Sequence, residues 1–325
     1  MKGFPFGHIL ASADSGAGTP PLLPRRRPKI GLALGAGSAR GWCHIGVLRE
    51  FEAMGVKPDI IAGTSIGAVV GGCFAAGRLD ELEAFARGMT RMRFLAMLDW
   101  SFSGRGLIAG ARLRGRLEEG LAETMIEDLP TRFAAVATEA GSGREVWLTR
   151  GPLARAIRAS YALPGIFESV KVGDHWLFDG AVVNPVPVSV CRALGADIVI
   201  AVNIIESAMA FHDAGDAGLP AEPSPEPHGL LGAARGHWLR GWFSRREDGG
   251  PSMASVMTDA FNITQDRISR SRLAGDPPDV FVRTRLDHVG LFDFHRAGEL
   301  IEAGREAARR AAPELRQVGL IDASE

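Results

Sequence analysis

Two successive units of strand, glycine-rich turn and helix stand near the start of this chain, and they restrict its fold more than any other feature. The first unit runs from the apolar residues 29–34 through a turn at 35–41 into a helical pattern. The second runs from residues 60–62 through a turn at 63–67 into another helical pattern. Units repeated in this way place parallel strands in one sheet with helices against it.

The same alternation of strand and helix patterns continues along the chain. The predicted strands cover residues 133–138, 146–149, 198–202 and 280–284, with a hairpin over 170–178. The predicted helices cover residues 80–100, 113–121, 153–160, 253–273 and 296–312. We therefore predict an α/β fold, a three-layer sandwich with a mostly parallel central sheet flanked by helices.

A single domain accounts for most of the chain in this interpretation. The 325 residues, 46% of them hydrophobic, are enough for one substantial core, which we place in residues 29–315. Prolines among small and acidic residues predict an insertion or lid at 207–251. Residues 1–28 are predicted to be a disordered leader, and residues 316–325 a C-terminal tail.

The overall composition argues against several classes of protein. Lys and Arg number 37 and Asp and Glu 38, a balance that argues against a nucleic-acid partner. No segment offers the roughly 20 apolar residues that a membrane-spanning helix needs. Cys43, Cys73 and Cys191 are far apart, which is typical of buried reduced thiols and not of a disulfide or metal framework. We expect a cytoplasmic protein, and its oligomeric state stays open.

Ser65 is the candidate nucleophile. It stands at the centre of a Gly-x-Ser-x-Gly pattern over residues 63–67, between a predicted strand and a predicted helix. At such a corner the serine is held in a strained backbone conformation, and the glycines let neighbouring chain and substrate approach closely. The pattern is weak by itself because the chain contains 41 glycines, so the remaining motifs must decide its meaning.

The glycine-rich turn at 35–41 has two interpretations. Its backbone N–H groups, exposed before a helix, could form an oxyanion hole for an ester attacked by a serine. The alternative is a dinucleotide-binding fingerprint. That interpretation fits less well, because Arg40 stands where the fingerprint requires Gly or Ala, and because it leaves the second glycine-rich turn unexplained.

Asp179 is the candidate base. It ends the predicted hairpin between Phe178 and Gly180, in an apolar context where burial would raise its pKa and help it to accept a proton from a serine. The other interpretation of Asp179 is a carboxylate that caps a turn.

A Ser-Asp-His triad would need a histidine downstream of Asp179. His288 and His295 follow the last predicted strand, so the triad stays open on the sequence alone. The other downstream histidines, all in the predicted insertion, are His212, His228 and His237. His44, on the helix after the first glycine-rich turn, is interpreted as structural, packing or hydrogen bonding within that helix.

Taken in order, these motifs resemble the patatin-like phospholipase family, particularly its bacterial members. Residues 35–48, 63–67, 159–167 and 179–181 are each similar to a block of that family. The resemblance covers most of residues 29–206, with a weaker trace beyond them. Four blocks in the same order are far more specific than any one of them.

The resemblance implies a patatin-like fold and a Ser-Asp dyad, in which Asp179 activates Ser65 directly and an acyl-enzyme forms that water then cleaves. No metal or cofactor is implied. Arg40 would stabilise the glycine-rich loop or the nearby anion. The residues implied to line the oxyanion hole are Gly35, Ala36 and Gly37, although Ala36 stands where many members of the family carry a third glycine.

The implied function is that of a serine acyl hydrolase acting on carboxylic esters of lipids, with a phospholipid or another acyl lipid as partner. A catalytically silent lipid-binding or regulatory protein and an acyltransferase remain as alternatives. The basic and aromatic segment 228–246 is either a membrane-interface helix, which would place the protein at the inner face of the membrane, or a lid or surface helix packed on the domain. The apolar stripe over 94–102 is likewise either a lipid contact or part of the core.

Overall fold

The computed structural model of this protein describes residues 26–97, 115, 117, 119–204, 253–284, 286 and 288–322. The predicted leader up to residue 25 and the predicted insertion at 207–251 lie outside the described residues. Among the helices that the described residues form, none is long and apolar enough to cross a membrane.

The described residues form eight strands in one sheet, and their order is β5-β6-β3-β2-β1-β7-β8 with β4 also paired to β3. Strands β3, β2, β1, β7 and β8 are parallel, whereas β4 and β6 run antiparallel to β3. The strands are β1 Ile30–Leu34, β2 Ile60–Thr64, β3 Arg132–Glu139, β4 Glu145–Leu148, β5 Val170–Val172, β6 His175–Asp179, β7 Ile198–Asn203 and β8 Val280–Arg283. The predicted strands, the hairpin and the mostly parallel sheet are confirmed.

The helices are α1 Cys43–Ala53, α2 Ile66–Ala75, α3 Leu79–Arg87, α4 Arg91–Met97, α5 Leu153–Tyr161, α6 Val188–Ala193, α7 Met253–Gly275, α8 Ala297–Arg310 and α9 Ala312–Gln317. The prediction of one helix over residues 80–100 was wrong at its middle. Gly88 ends α3, and the Thr90 hydroxyl accepts the N–H of Arg93 at 3.1 Å, so a new helix cap begins α4.

The sheet is buried on both faces. Side chains such as Leu32, Leu34 and Phe133 belong to a core shared with α1, α2 and α8. The alternate side chains, including Ala33 and Ala62, belong to a second core shared with α6. Because successive residues of a strand point to opposite faces, one sheet supplies both cores. The predicted three-layer architecture is confirmed.

Two glycines let helix α8 touch α1 backbone to backbone. A Cβ placed on Gly46 would lie 1.8 Å from the Ile301 carbonyl oxygen, and one placed on Gly304 would lie 1.9 Å from the Cys43 carbonyl oxygen. No side chain fits in either place. This close contact brings the C-terminal part of the chain beside the helix that follows the first glycine-rich turn.

The edge of β3 changes partner at a position that matters for the site. Val136 pairs with Thr64 of β2, and the next residue, Ala137, pairs with Asp179 of β6. Strand β4 pairs with both of these β3 residues and therefore occupies the other edge of β3. Strands β2 and β6 therefore both pair with the remaining edge of β3, one after the other along its length. The residue after Thr64 is Ser65, so this arrangement places it next to Asp179.

Candidate active site

Ser65 lies at the corner between β2 and α2, as its motif predicts. Its backbone has φ 56° and ψ −122°, a conformation that favours glycine and costs about 1–3 kcal/mol for other residues. The glycine at position 67 is required by space, because a Cβ there would lie 2.2 Å from the Leu34 carbonyl oxygen. The corner therefore holds the Ser65 side chain out of the helix that it begins.

The Ser65 hydroxyl donates to Oδ2 of Asp179 at 2.6 Å. Only 2% of Asp179 is exposed, and its other carboxylate oxygen accepts the backbone N–H of Ala181 at 2.8 Å. Burial raises the pKa of Asp179 to about 7, while the hydrogen bonds from Ser65 and Ala181 act in the opposite direction. Asp179 thus caps the turn after β6 and contacts the candidate nucleophile, so both interpretations of it describe the same side chain.

The glycine-rich turn follows β1, and its N–H groups divide into two kinds. Gly35 donates to the Val202 carbonyl at 3.0 Å, and Ala36 donates to the Pro185 carbonyl at 2.9 Å. The next N–H groups, those of Gly37 and Ser38, have no acceptor among the described residues. The N–H groups of Gly35 and Ala36 are therefore already used to hold the turn on the sheet, while the lining of an oxyanion hole by Gly35, Ala36 and Gly37 stays a prediction.

The side chains of His44 and Arg40 hold the glycine-rich turn in place. The buried His44 ring places Nε2 2.8 Å from the Gly35 carbonyl oxygen, and burial lowers the pKa of His44 to about 4, so the ring is neutral. His44 bonds back to the turn and not within its own helix, which refines its expected structural role. Arg40 donates from Nε to the Val289 carbonyl at 2.8 Å, which ties the turn to the segment before α8.

A cavity of about 510 Å³ opens beside Ser65 and Asp179. Gly37 and Ser38 also line it, so the residues that carry the unpaired N–H groups border the same cavity as Ser65. From Ser65 the cavity follows α2, and most of its wall is apolar. The apolar and aromatic side chains along it include Ile66, Val69, Cys73, Leu82, Phe85, Phe94, Met97, Tyr161, Leu163, Phe167, Phe261, Phe292 and Phe294. Such a wall fits a hydrocarbon chain.

Comparison with known proteins identifies the family. A family model described as patatin-like phospholipase matches residues 32–192, which include both glycine-rich turns and Asp179. An uncharacterised NTE family protein of Mycobacterium tuberculosis is 34% identical over 87% of this chain and 91% of its own length. The chain belongs to the patatin-like phospholipase family. This family is one of lipid ester hydrolases.

Other relatives of this patatin-like chain are more distant. A second uncharacterised NTE family protein of Mycobacterium tuberculosis is 28% identical over 94% of this chain and 50% of its own length. Lysophospholipase NTE1 of Pyricularia oryzae is 26% identical over 90% of this chain and 19% of its own length. The similarity to both extends beyond residue 192 over most of the chain.

The patatin-like site brings no histidine to Ser65 among the described residues. His288 contacts Glu299 at 2.9 Å, and His295 accepts a hydrogen bond from Arg91 at 3.1 Å; neither lines the cavity. The histidines of the predicted insertion lie outside the described residues. In the described part of the chain, no three His, Cys, Asp or Glu side chains converge as a metal site requires.

The apolar stripe over residues 94–102 divides between two environments. Phe94 and Met97 of α4 line the cavity, whereas Leu95 is 56% exposed. Leu98, Trp100 and Phe102 lie outside the described residues. The three cysteines are free and buried, and Cys73 also lines the cavity.

Sequence reasoning assigned no role to Ser160, although it falls within a block similar to the family. Its buried hydroxyl accepts the backbone N–H of Ser65 at 2.9 Å and donates to the Val136 carbonyl at 2.6 Å. A serine near the end of an amphipathic helix carries no pattern of its own. Only its place in the block 159–167 could have drawn attention to it.

Proposed function

We propose that this protein is a serine acyl hydrolase that cleaves carboxylic ester bonds of lipids, with Ser65 as nucleophile and Asp179 as base. One observation carries the proposal: the Ser65 hydroxyl donates directly to a buried carboxylate at 2.6 Å, at the wall of an apolar cavity. A hydroxyl is a weak nucleophile until a base takes its proton, and here the carboxylate is already within hydrogen-bond distance.

The reaction begins with attack of Ser65 Oγ on the ester carbonyl carbon while its proton passes to Asp179. The carbonyl oxygen becomes negatively charged, and the N–H groups of Gly37 and Ser38 are the proposed donors to it. Each such donor is typically worth about 2.7–4 kcal/mol of transition-state stabilisation. Collapse of the tetrahedral intermediate breaks the ester C–O bond. Asp179 then returns the proton to the leaving alcohol.

The second half of the reaction repeats these steps with water. Water attacks the acyl-enzyme, Asp179 accepts a proton from it, and the free acid leaves as Ser65 recovers its proton. A carboxyl group with a pKa of about 7 suits both directions, since it is readily ionised and readily protonated near neutral pH.

The substrate class follows from the family and from the cavity. The family is one of phospholipases, and one relative carries the name lysophospholipase. The apolar wall along α2 would take the acyl chain and direct its ester carbonyl to Ser65, which favours a phospholipid or another acyl lipid.

We also propose that the helices beside this cavity meet the lipid surface. The described residues include seven strongly exposed large apolar side chains, and five of them lie on α4 and α7. They are Met92, Leu95, Val256, Met257 and Ile263. Both helices also contribute cavity-lining residues, Phe94 and Phe261 among them. Exposed apolar groups around the cavity would insert at the level of the lipid headgroups. The segment 228–246, predicted to do the same, lies outside the described residues.

The proposed function is tested by covalent labelling with a fluorophosphonate and by hydrolysis of a p-nitrophenyl ester. We expect labelling to disappear in Ser65→Ala, and hydrolysis to be lost in both Ser65→Ala and Asp179→Asn. Ser142→Ala, which removes an exposed serine hydroxyl outside the cavity, should retain both. Hydrolysis that survives in Ser65→Ala would overturn the proposal, and a folded wild-type protein that binds lipid without labelling would indicate a catalytically silent protein.

A further inference from the structure

The N–H group of Ser65 is held by a side chain from another element. It donates to the Ser160 hydroxyl at 2.9 Å, and that hydroxyl lies within 2.6 Å of the Val136 carbonyl oxygen. A hydroxyl has one proton to donate and lone pairs that accept, and a backbone N–H only donates. The Ser160 oxygen must therefore accept from Ser65 and give its own proton to Val136. Ser160 is fully buried, so water does not compete for these bonds.

The Val136 carbonyl belongs to the position where the edge of β3 passes from one partner to the next. Val136 pairs with Thr64, the last residue of β2, and Ala137 pairs with Asp179 of β6. Ser65 turns out of the strand at φ 56°. The Ser160 hydroxyl spans the gap that this turn opens, because it connects the N–H of Ser65 to β3, the strand paired with the one that Ser65 has just left.

The same end of α5 also holds the main chain of Asp179. Two residues after Ser160, the Ala162 carbonyl accepts the backbone N–H of Asp179 at 3.0 Å. A three-residue segment therefore contacts the main chain of both Ser65 and Asp179. Neither contact uses the side-chain atoms that the proposed reaction employs, so both act on where those atoms lie.

We propose that Ser160 is a positioning residue, which keeps Ser65 in the strained conformation from which its hydroxyl reaches Asp179. This inference rests on the proposed function, because it concerns the same nucleophile. Without the Ser160 hydroxyl, the N–H of Ser65 loses its acceptor, and the corner can relax toward an ordinary helix start. The Ser65 oxygen would then move away from the carboxylate.

The test compares Ser160→Ala with Thr64→Val by steady-state ester hydrolysis and by the rate of fluorophosphonate labelling. Thr64→Val is the matched control: it also removes a buried hydroxyl at this corner, one that donates to the Asn184 carbonyl at 2.8 Å and does not touch the N–H of Ser65. We expect a similar loss of thermal stability in both variants. Only Ser160→Ala should lower kcat, by about 10- to 100-fold, with KM unchanged and labelling slowed to match.

Rescue provides the second readout. Ser160→Thr keeps the hydroxyl and should recover activity relative to Ser160→Ala, whereas a role in packing alone would not depend on the oxygen. A kcat in Ser160→Ala equal to that of Thr64→Val overturns the inference. If Ser160→Ala does not fold, Ser160→Cys preserves the volume with a weaker hydrogen-bonding group, and an unchanged kcat in that variant overturns the inference equally.

The two failures are distinguishable. Activity that survives in Ser65→Ala refutes the proposed function itself. Activity that depends on Ser65 but is unchanged by loss of the Ser160 hydroxyl refutes only the positioning role.

Discussion

At the scale of single residues, Ser65 is held in a backbone conformation that suits glycine, while its side chain contacts a buried carboxylate. Neither feature favours folding, because the conformation is strained and an ionised carboxylate is costly to bury. The surroundings enforce both: Ser160 binds the main chain of Ser65, and Ala181 donates to Asp179. A strained serine beside a buried carboxylate is typical of functional sites, where chemistry is favoured at the expense of stability.

The backbone strain at Ser65 predicts an order of stability between two inactive variants. Ser65→Gly should unfold at a higher urea concentration than Ser65→Ala. Its free energy of unfolding should be larger by about 1 kcal/mol or more, because glycine adopts φ 56° without a Cβ penalty. Both variants lose the hydroxyl, so the difference reports the backbone alone. The same pair at Ser189, inside helix α6, should show the reverse order. A Ser65→Ala variant at least as stable as Ser65→Gly would show that the backbone at position 65 is not strained.

The raised pKa of Asp179 predicts how activity depends on pH. As the base, Asp179 must be ionised, so kcat/KM for a soluble ester should rise with pH through about 7 and then level off. The measurement is a pH-rate profile of the folded enzyme with p-nitrophenyl ester. A profile already flat from pH 5 upward would show that the base is ionised throughout this range, and would contradict the burial effect.

The same shift predicts that Asp179 lowers stability at neutral pH. The pKa in the folded protein, about 7, lies above the ordinary value of 3.8, so the folded state binds the extra proton between these values. Stability should therefore fall as pH rises from about 4 to 7, by at most about 1.4 kcal/mol per pH unit, and change no further above 7. Asp179→Asn removes this dependence and should be the more stable protein at pH 8 in urea unfolding. An Asn variant less stable than wild type at pH 8 would argue against the effect.

At the scale of elements, the site depends on where strands and helices end. Strand β2 ends one residue before Ser65, β6 ends at Asp179, and the two follow one another along a single edge of β3. The C-terminal end of α5 then binds the main chain of Ser65 and that of Asp179. The second glycine-rich turn depends on this pairing of β2 and β6 with one edge of β3, because its serine needs a base within hydrogen-bond distance.

The contact between α1 and α8 predicts opposite effects for two glycines of the same helix. Gly304→Ala would place a Cβ 1.9 Å from the Cys43 carbonyl oxygen, so the helices must separate, and we expect a loss of about 1–3 kcal/mol. Gly298→Ala has its nearest atom at 3.6 Å and should be neutral, or stabilising by up to about 1 kcal/mol. Thermal unfolding followed by circular dichroism compares the two. Equal melting temperatures would show that the helices adjust freely.

At the scale of the whole molecule, the two ends of the parallel strands differ. The glycine-rich turn and Ser65 follow the carboxyl ends of β1 and β2, where open α/β sheets bind their ligands. At the opposite ends, Arg26 pairs with Asp197 at 3.1 Å and Arg27 pairs with Asp59 at 2.6 Å. The exposed apolar side chains of α4 and α7 lie on the helices that line the cavity, which is where a lipid would have to enter.

This asymmetry predicts that lipid-surface binding and chemistry can be separated. Leu95 is 56% exposed on α4 and does not line the cavity, so Leu95→Asp should leave hydrolysis of a soluble ester unchanged. Binding to phospholipid vesicles, measured by flotation, should weaken about tenfold or more, because a leucine lost from the interface costs roughly 1.5–3 kcal/mol.

Trp176 serves as the control for this prediction. It is 51% exposed on β6 and lies outside the cavity wall, so Trp176→Asp should leave vesicle binding unchanged. Equal losses in the two variants, or none in Leu95→Asp, would place the lipid-binding surface elsewhere on the protein.

Much of the fold could be predicted from the sequence because its signals are local. The apolar runs that became β1, β2 and β7 and the helical spacing of α1 and α8 each lie within one segment. The errors lie where local signals compete. Helical spacing continued through Gly88, but the cap at Thr90 started a new helix. The 207–251 insertion and the domain ends remain predictions.

The order of its motifs is enough to relate this chain to its family, and the pattern around Ser65 to locate the candidate nucleophile, since both are read along the chain. Tertiary structure alone decided which groups are free to act. Val202 and Pro185 use the N–H groups of Gly35 and Ala36, and Ser160 takes that of Ser65. A backbone N–H binds whichever acceptor folding brings to it, so its availability depends on residues distant in sequence, as does the burial that raises the pKa of Asp179.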